Sequence, residues 1–365
     1  MSRLNELIQR LCPNGVEYET IKETVGVNRG KRLTKSQLSD DGKYEVYHGS
    51  KDSILGKYYE YNAPANTVIV INTGGIGGVK FLDKPFWCSD GSFWLGQSSR
   101  INNKYLYYYL SGYENYFYSQ KRVGGVPTIE RRVVEDFKIP IPPLDVQNEI
   151  VRILDTFTSH AAELQAELQA RKEQYEYYRN KLLTFDKDDK NVKWMKLGDV
   201  CTLNRGIRVV RNDLNKNGKY PVYQNSLTPL GYYDKSNYPK NTTFIISAGA
   251  AGEIGFSKEP MWAADDCLCI ICTDDLVSKY VYHYLIEHKI FLISKIRKAS
   301  IPRLSRVTIE QLPIAIPNIS EQQRIVSILD KFEALVNDLT DGLPAEIAAV
   351  QEQYEYYRNK LLTFK

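Results

Sequence analysis

The thirteen residues EQYEYYRNKLLTF run from Glu173 to Phe185 and occur again, unchanged, from Glu352 to Phe364. A repeat of this length cannot arise by chance, so the chain is one unit used twice. Each copy closes a long segment of apolar periodicity. In the first, Ile150, Leu154, Phe157, Ala161, Leu164, Leu168, Arg171, Tyr175, Tyr178 and Leu182 alternate steps of four and three, the pattern of a coiled-coil seam broken only by Arg171. At 1.5 Å per residue such a helix is roughly 50 to 60 Å long, more than a compact domain needs, and it reads as a spacer.

The second seam runs Ile325, Leu329, Phe332, Val336, Leu339, Leu343, Ile347, Val350, Tyr354, Tyr357 and Leu361 and contains one extra step of four. An insertion of four residues is a stutter that locally unwinds a coiled coil. Gly342 and Pro344 sit beside it, which predicts a kink or a helix restart with Pro344 in the first turn. Two long seams in one chain can close on each other as an antiparallel pair; the alternative is two amphipathic helices, each packed on its own domain.

Upstream of the blocks the two halves agree only at scattered positions, but in one order. Asn28-Arg29-Gly30 matches Asn204-Arg205-Gly206, Asn66-Thr67 matches Asn241-Thr242, Gly74 matches Gly249, Phe81 matches Phe256, Trp87 matches Trp262, and Asp90 matches Asp265. Tyr105, Tyr107 and Tyr109 match Tyr280, Tyr282 and Tyr284; Pro127 matches Pro302; Ile153-Leu154-Asp155 matches Ile328-Leu329-Asp330. Short β-rich runs such as TVIVI (Thr67 to Ile71) and TFIIS (Thr243 to Ser247) are bounded by glycine, asparagine and proline, and one helix is predicted in each half around Tyr105 to Leu110 and Tyr280 to Ile286. The expected fold is α+β: two mixed, mostly β domains separated by two long helices packed as an antiparallel coiled coil, with a pseudo-two-fold internal repeat. The expected boundaries are 1–143, 144–185, 186–318 and 319–365.

The 365 residues suffice for two or three domains with real cores. A net charge of +4 is mildly basic and decides little. No apolar run is long enough for a membrane span or a signal peptide, which reads as a soluble, cytoplasmic protein. Cys267, Cys269 and Cys272 form a C-x-C-x-x-C pattern, but their counterparts in the first half are Ser92, Trp94 and Gln97, so buried thiols in a strand are expected, not a metal site. TGGIGG (Thr73 to Gly78) lacks the Gly-Lys-Ser/Thr ending of a phosphate loop and reads as a tight turn after a strand. Four scattered histidines give no catalytic constellation, and no nucleophile elbow, zinc-protease motif or amino-methyltransferase motif is present.

What remains is binding. Lys121 and Arg122, with Arg131 and Arg132 beyond, flank Pro127; Lys295, Arg297, Lys298, Arg303 and Arg306 flank Pro302. A further cluster follows each matched Asn-Arg-Gly: Lys31, Arg32 and Lys35, then Arg208 and Arg211. Recurrence at equivalent places favours DNA contact over a merely solvated charged face, since phosphates and base edges are met by such donors. The candidate DNA-binding residues are therefore Lys31, Arg32, Lys35, Lys121, Arg122, Arg208, Arg211, Arg297, Lys298 and Arg303.

The chain resembles the specificity subunit of type I restriction-modification systems. Both halves leave their globular part through an exit strand, KIPIPP (Lys138 to Pro143) or LPIAIP (Leu312 to Pro317). Each continues into Q-x-x-I-V-x-I-L-D (Gln147 to Asp155; Gln322 to Asp330) and ends in Q-Y-E-Y-Y-R-x-K-L-L (Gln174 to Leu183; Gln353 to Leu362). Leu4 to Leu11 with Gly15-Val16-Glu17-Tyr18 is similar to the family's opening; the first helix lacks the Gly342 to Glu346 stretch of the second. The resemblance implies two target-recognition domains, each reading one half of a bipartite, asymmetric DNA site, and no catalysis in this chain. It implies partners: double-stranded DNA, two adenine-methylating modification subunits and, in complete complexes, two motor-nuclease restriction subunits. S-adenosylmethionine, ATP and magnesium would belong to those partners. The identical blocks would then be docking surfaces, with Gln174, Glu176, Arg179, Gln353, Glu355 and Arg358 as partner-binding candidates; Tyr175 and Tyr178 fall on the seam while Glu173, Glu176, Arg179 and Lys181 face outward or flank it. Gene conversion would also produce thirteen identical residues. Two other readings stay open from the residues alone: a structural coiled-coil adaptor without a DNA role, and a self-sufficient DNA-modifying enzyme with degenerate motifs.

Overall fold

The computed structural model describes residues 2–122, 124–215, 217–298, 300–338 and 341–364. The chain divides into two compact units, residues 1–165 with 347–365, and residues 166–346. The division cuts through the spacer helix Leu144–Leu183, so each unit holds the start of one spacer and the end of the other.

In the first unit a four-stranded antiparallel sheet takes the order Val27–Arg29, Ser92–Leu95, Thr67–Ile71, Val79–Leu82. TVIVI is central and buried at every position, as a strand covered on both faces must be. A second sheet orders Gly56–Tyr58, Tyr44–Tyr47 and Trp87–Cys88, the last pair parallel, and Tyr18–Thr20 pairs with the exit strand Lys138–Pro140. The second unit repeats this scheme. Its four-stranded sheet orders Cys201–Arg205, Cys267–Cys272, Thr242–Ile246 and Ile254–Ser257; its three-stranded sheet orders Gly231–Tyr233, Tyr220–Tyr223 and Trp262–Ala263; Lys193–Lys196 pairs with Pro313–Ile316.

Several of the scattered matches between the halves are positions that this backbone constrains. Asn66 and Asn241 enter the central strands at φ 56° and 63°, a left-handed conformation that asparagine tolerates better than most residues. A Cβ on Gly30 would lie 1.9 Å from the Ser89 carbonyl oxygen, and one on Gly206 2.2 Å from that of Ala264, so only glycine fits either place. The Trp87 indole donates to the Lys31 carbonyl (2.7 Å) and the Trp262 indole to that of Ile207 (2.9 Å), pinning the loop that follows each Asn-Arg-Gly. The tyrosine runs are helices, Asn103–Ser111 and Ser278–Glu287; Tyr105 and Tyr280 are fully buried and donate to the carbonyls of Pro140 and Ala315 on the exit strands.

Each domain helix is clamped to its spacer by two matched side chains. Gln147 is completely buried: its Oε1 accepts from the Asn102 N–H (2.7 Å), and its Nε2 donates to the carbonyls of Arg100 and Pro142. Gln322 does the same with Val277 N–H (2.8 Å) and the carbonyls of Asp275 and Pro317. Asp155 accepts from Lys104 (2.7 Å) and Tyr108 (2.5 Å), Asp330 from His283 (2.8 Å) with Lys279 at 3.1 Å. The Q-x-x-I-V-x-I-L-D motif thus joins a globular domain to its spacer.

The seam residues of the first spacer are all buried or half-buried, Arg171 included; Leu339 of the second seam lies outside the described residues. The second spacer is two helices, Ile319–Asn337 and Leu343–Leu361, and Pro344 sits in the first turn of the second, where its missing N–H costs no hydrogen bond. Within the first unit Phe157 stacks on Tyr357 (5.2 Å), Tyr108 meets Tyr354, and Tyr18 near the exit strand donates to the Phe364 carbonyl, so the last helix runs antiparallel to the start of the first spacer. Within the second unit Tyr175 and Tyr178 stack on Phe332 (6.3 and 5.4 Å). The identical blocks therefore exchange: Glu173 to Phe185 packs in the unit of the second globular domain, Glu352 to Phe364 in that of the first.

Candidate nucleic-acid interface and docking helices

Two loops meet in each unit. The glycine-rich turns follow the central strands with Gly74 and Gly77 at φ +85° and Gly249 and Gly252 at +82° and +87°. The basic loops around Pro127 and Pro302 are closed by paired stems: Arg122 bridges Thr128, with its N–H donating to the Thr128 carbonyl (2.9 Å), and Arg297 and Arg303 exchange two backbone hydrogen bonds (2.9 and 3.2 Å). Those stems then bridge to the glycine turns, Thr128 to Thr73 and Arg303 to Ala248. Long-range pairing of this kind, not sequence proximity, brings the turn and the basic loop together.

Lys31, Arg32, Lys35, Arg208, Arg211, Arg297, Lys298 and Arg303 are exposed and, among the described residues, form no ion pair. Arg122 is exposed but bridges Glu130 (2.9 Å), and Lys121 lies over the Tyr118 ring (3.6 Å to its centroid). Arg131, Arg132 and Arg306 are partly neutralised by carboxylates one helical turn on, Glu135, Asp136 and Glu310. In the second unit the two basic clusters converge. Burial and the Asp265 charge push the Asp266 carboxyl up, while Arg205, Arg303 and Arg208 lie close enough to pull it back. Asp265 has a buried Oδ1 without a protein donor among the described residues; its carbonyl accepts from Arg205 (2.6 Å). Asp90 in the first unit accepts from the Ser89 hydroxyl and faces His48 at 3.2 Å.

Cys267 and Cys269 are buried on one face of their strand, and Cys272 points to the other, 3.6 Å from Cys201 across the sheet. The three are thus packed thiols that cannot close on one ion. His283, Asp330 and Glu333 bring ligand atoms within 4.8 Å of one another, but the Lys279 ammonium lies 3.1 Å from Asp330 and 3.8 Å from Glu333 and supplies the positive charge there.

The docking candidates divide. Glu176, Gln353 and Glu355 are exposed and Gln174 half-buried, whereas Arg179, expected to face outward or flank the seam, and its counterpart Arg358 turn inward. Arg179 lies over Tyr175 (5.1 Å) and pairs with Glu287 at 2.8 Å; burial pulls its pKa down, but that hydrogen bond, the Glu287 charge and Tyr175 together outweigh burial and hold it above the ordinary arginine value. Arg358 lies over Tyr354 (5.6 Å), its Nε buried and without a protein acceptor. Arginine carries a long apolar stem, so heptad position alone does not say where its head goes. The outward face instead presents Tyr177 and Tyr356, each 59% exposed, with Lys181 and Lys360 over their rings at 5.7 and 5.5 Å. Sequence reading passed over them, although a Tyr-Tyr doublet with only its second member on the seam leaves the first outside.

A family model described as the type I restriction modification DNA specificity domain matches the chain twice, over residues 13–174 and 189–349. The chain belongs to that family. Its specificity domains correspond to the two repeats found within the sequence. The chain is 33% identical to the specificity subunit of a type I restriction enzyme of Escherichia coli, over 100% of this chain and 98% of that one. It is 32% identical to a putative type I restriction enzyme specificity subunit of Haemophilus influenzae, over 96% of both. The crystal structure of a type I restriction-modification S subunit from M. genitalium has the same fold, with a TM-score of 0.72 over 96% of this chain and 97% of that one at 19% identity. Among the described residues no helix is long and apolar enough to cross a membrane.

Proposed function

We propose that this chain is the non-catalytic DNA-reading subunit of a type I restriction-modification complex, in which each recognition domain reads one half of a bipartite, asymmetric site. The observation that carries the reading is a shared frame with different loops. Gly30 and Gly206, Trp87 and Trp262, and Gln147 and Gln322 build the same scaffold twice, while the exposed basic loops they hold differ in sequence. Lys31, Arg32, Lys35, Lys121 and Arg122 would seat the first domain on phosphates and base edges; Arg208, Arg211, Arg297, Lys298 and Arg303 would seat the second.

The identical blocks would dock two copies of one modification subunit through their outward faces, which gathers Gln174 and Glu176 with Tyr177, and Gln353 and Glu355 with Tyr356. Arg179 and Arg358 would act from behind, fixing the tyrosines they cover. Adenine methylation, and cleavage where two restriction subunits join, would be the partners' chemistry, with S-adenosylmethionine, ATP and magnesium bound there and none in this chain. Methylome sequencing of a host expressing this chain with its modification subunits tests the reading: a single bipartite methylated motif is expected. Methylation by the purified chain alone, or a continuous motif, would refute it.

A further inference from the structure

The tip of each basic loop ends in an exposed aliphatic residue. Val126, 72% exposed, is the most exposed large hydrophobic residue of the first unit among those described, and its counterpart Ile301 is 51% exposed. Single exposed aliphatics are ordinary on protein surfaces. These two differ in recurring at one matched position, directly before the matched Pro127 and Pro302, in loops that otherwise present cations. Each is also stiff. A residue before proline is confined to extended backbone, and a branched Cβ restricts the side chain, so little entropy remains to be lost on burial. The stems are tied by the Arg122–Thr128 and Arg297–Arg303 bridges. In the first unit Gly124 and Gly125 precede the tip with open space where side chains would be, leaving room for another backbone to approach closely.

A rigid apolar point framed by Arg122, or by Arg297, Lys298 and Arg303, suits a polyanion with an apolar interior. Stacked bases behind phosphates are such a surface. We propose that Val126 and Ile301 are wedges, each entering the duplex at its own half-site and opening a base step once the flanking cations have seated the loop. The inference rests on the DNA-reading function proposed above and adds to it that each half-site is deformed, not only contacted.

The test uses the complex of this chain with its modification subunits and a duplex carrying its mapped methylation motif. Affinity is measured across a salt series, and bending by energy transfer between dyes at the duplex ends. Val126→Ala and Ile301→Ala should each weaken binding about tenfold, the order expected for burial of a branched aliphatic side chain, and reduce the bend. The slope of affinity against salt should not change, because no phosphate contact is lost. Ile290→Ala, at an 85% exposed position of the second unit outside the basic loop, should change nothing. An unaltered bend, affinity within twofold of the parent, or an equal loss from Ile290→Ala would overturn the wedge while leaving the DNA-reading function standing; a parent complex that does not bind its motif would overturn both.

Discussion

The inward-turned arginines of the two blocks differ in their partners, and supplying the missing partner should stabilise the first unit. In the second unit Arg179 pairs with Glu287 at 2.8 Å, and Asn180 donates to the same carboxylate at 3.0 Å. The residue in the place of Glu287 in the first unit is Gly112, so Arg358 keeps a buried Nε without an acceptor. Gly112 has a helical φ of −72°, and a Cβ added there would meet Arg358 Nε at 3.6 Å and the Tyr109 carbonyl oxygen at 3.4 Å, both ordinary contacts. A cavity of about 250 Å³ lined by Tyr109, Gly112, Tyr113 and Arg358 leaves space for a longer side chain. Gly112→Glu is therefore expected to fit without backbone strain. Satisfying a buried charged donor contributes about 1.5–3 kcal/mol, and replacing glycine at a helical position about 0.4–1 kcal/mol. Ordering the glutamate costs up to about 2 kcal/mol, leaving a net gain on the order of 1 kcal/mol. Native-state hydrogen exchange of the Asn103–Ser111 amides reads this unit alone. Gly112→Ala should show only the backbone part, and in an Arg358→Met background Gly112→Glu should gain no more than Gly112→Ala does. If Gly112→Glu is no more stable than Gly112→Ala, or its extra gain survives once Arg358 has been replaced, the reasoning from Glu287 is wrong.

Gln147→Ala and Gln322→Ala each remove three hydrogen bonds at a fully buried site and strand a helix N–H, so each should destabilise its own unit by about 2–4 kcal/mol in denaturant titration. Gln323→Ala, exposed on the neighbouring position, should stay within about 0.5 kcal/mol of the parent, and parity among the three would discard the clamp. Burial alone would raise the Asp330 carboxyl, but hydrogen bonds from His283 and Lys279 hold it below the usual aspartate value. A depressed native pKa gives stability that is complete above the unfolded value, about 3.9, and is lost as pH falls through the native one. Acid unfolding of the second unit should thus steepen below about pH 4, and Asp330→Asn should flatten that limb; an unchanged pH profile would remove Asp330 from the account.

The repeat, both seams and the restart at Pro344 are legible in the sequence, because thirteen identical residues, heptad steps and proline are local signals. So are Gly30, Gly74 and Trp87 as matched positions, although only the backbone explains why Gly30 cannot carry a Cβ and what Trp87 holds. The partner of each seam is not legible. Periodicity states that Tyr175 and Tyr354 are covered, not that Glu173 to Phe185 packs in the unit of the second domain and Glu352 to Phe364 in that of the first. The inward turn of Arg179 depends on Glu287, a residue 108 positions away, and the joining of Thr128 to Thr73 on a β-bridge that leaves no trace in either loop's composition. The N-terminal helix Ser2–Leu11 is a further case: it buries Leu4 and places Arg3 3.7 Å from Glu149 on the spacer, through contacts that its own charge-leucine alternation does not specify.

Division of labour between two readers on a common frame is the central claim, and a domain replacement measures it. Residues 16–143 are exchanged for the corresponding domain of another specificity subunit, and the methylome of a host expressing the chimera with the modification subunits is sequenced. One half of the methylated motif should change while the other half and the gap between them remain. A change in both halves, or in the gap alone, would contradict the account.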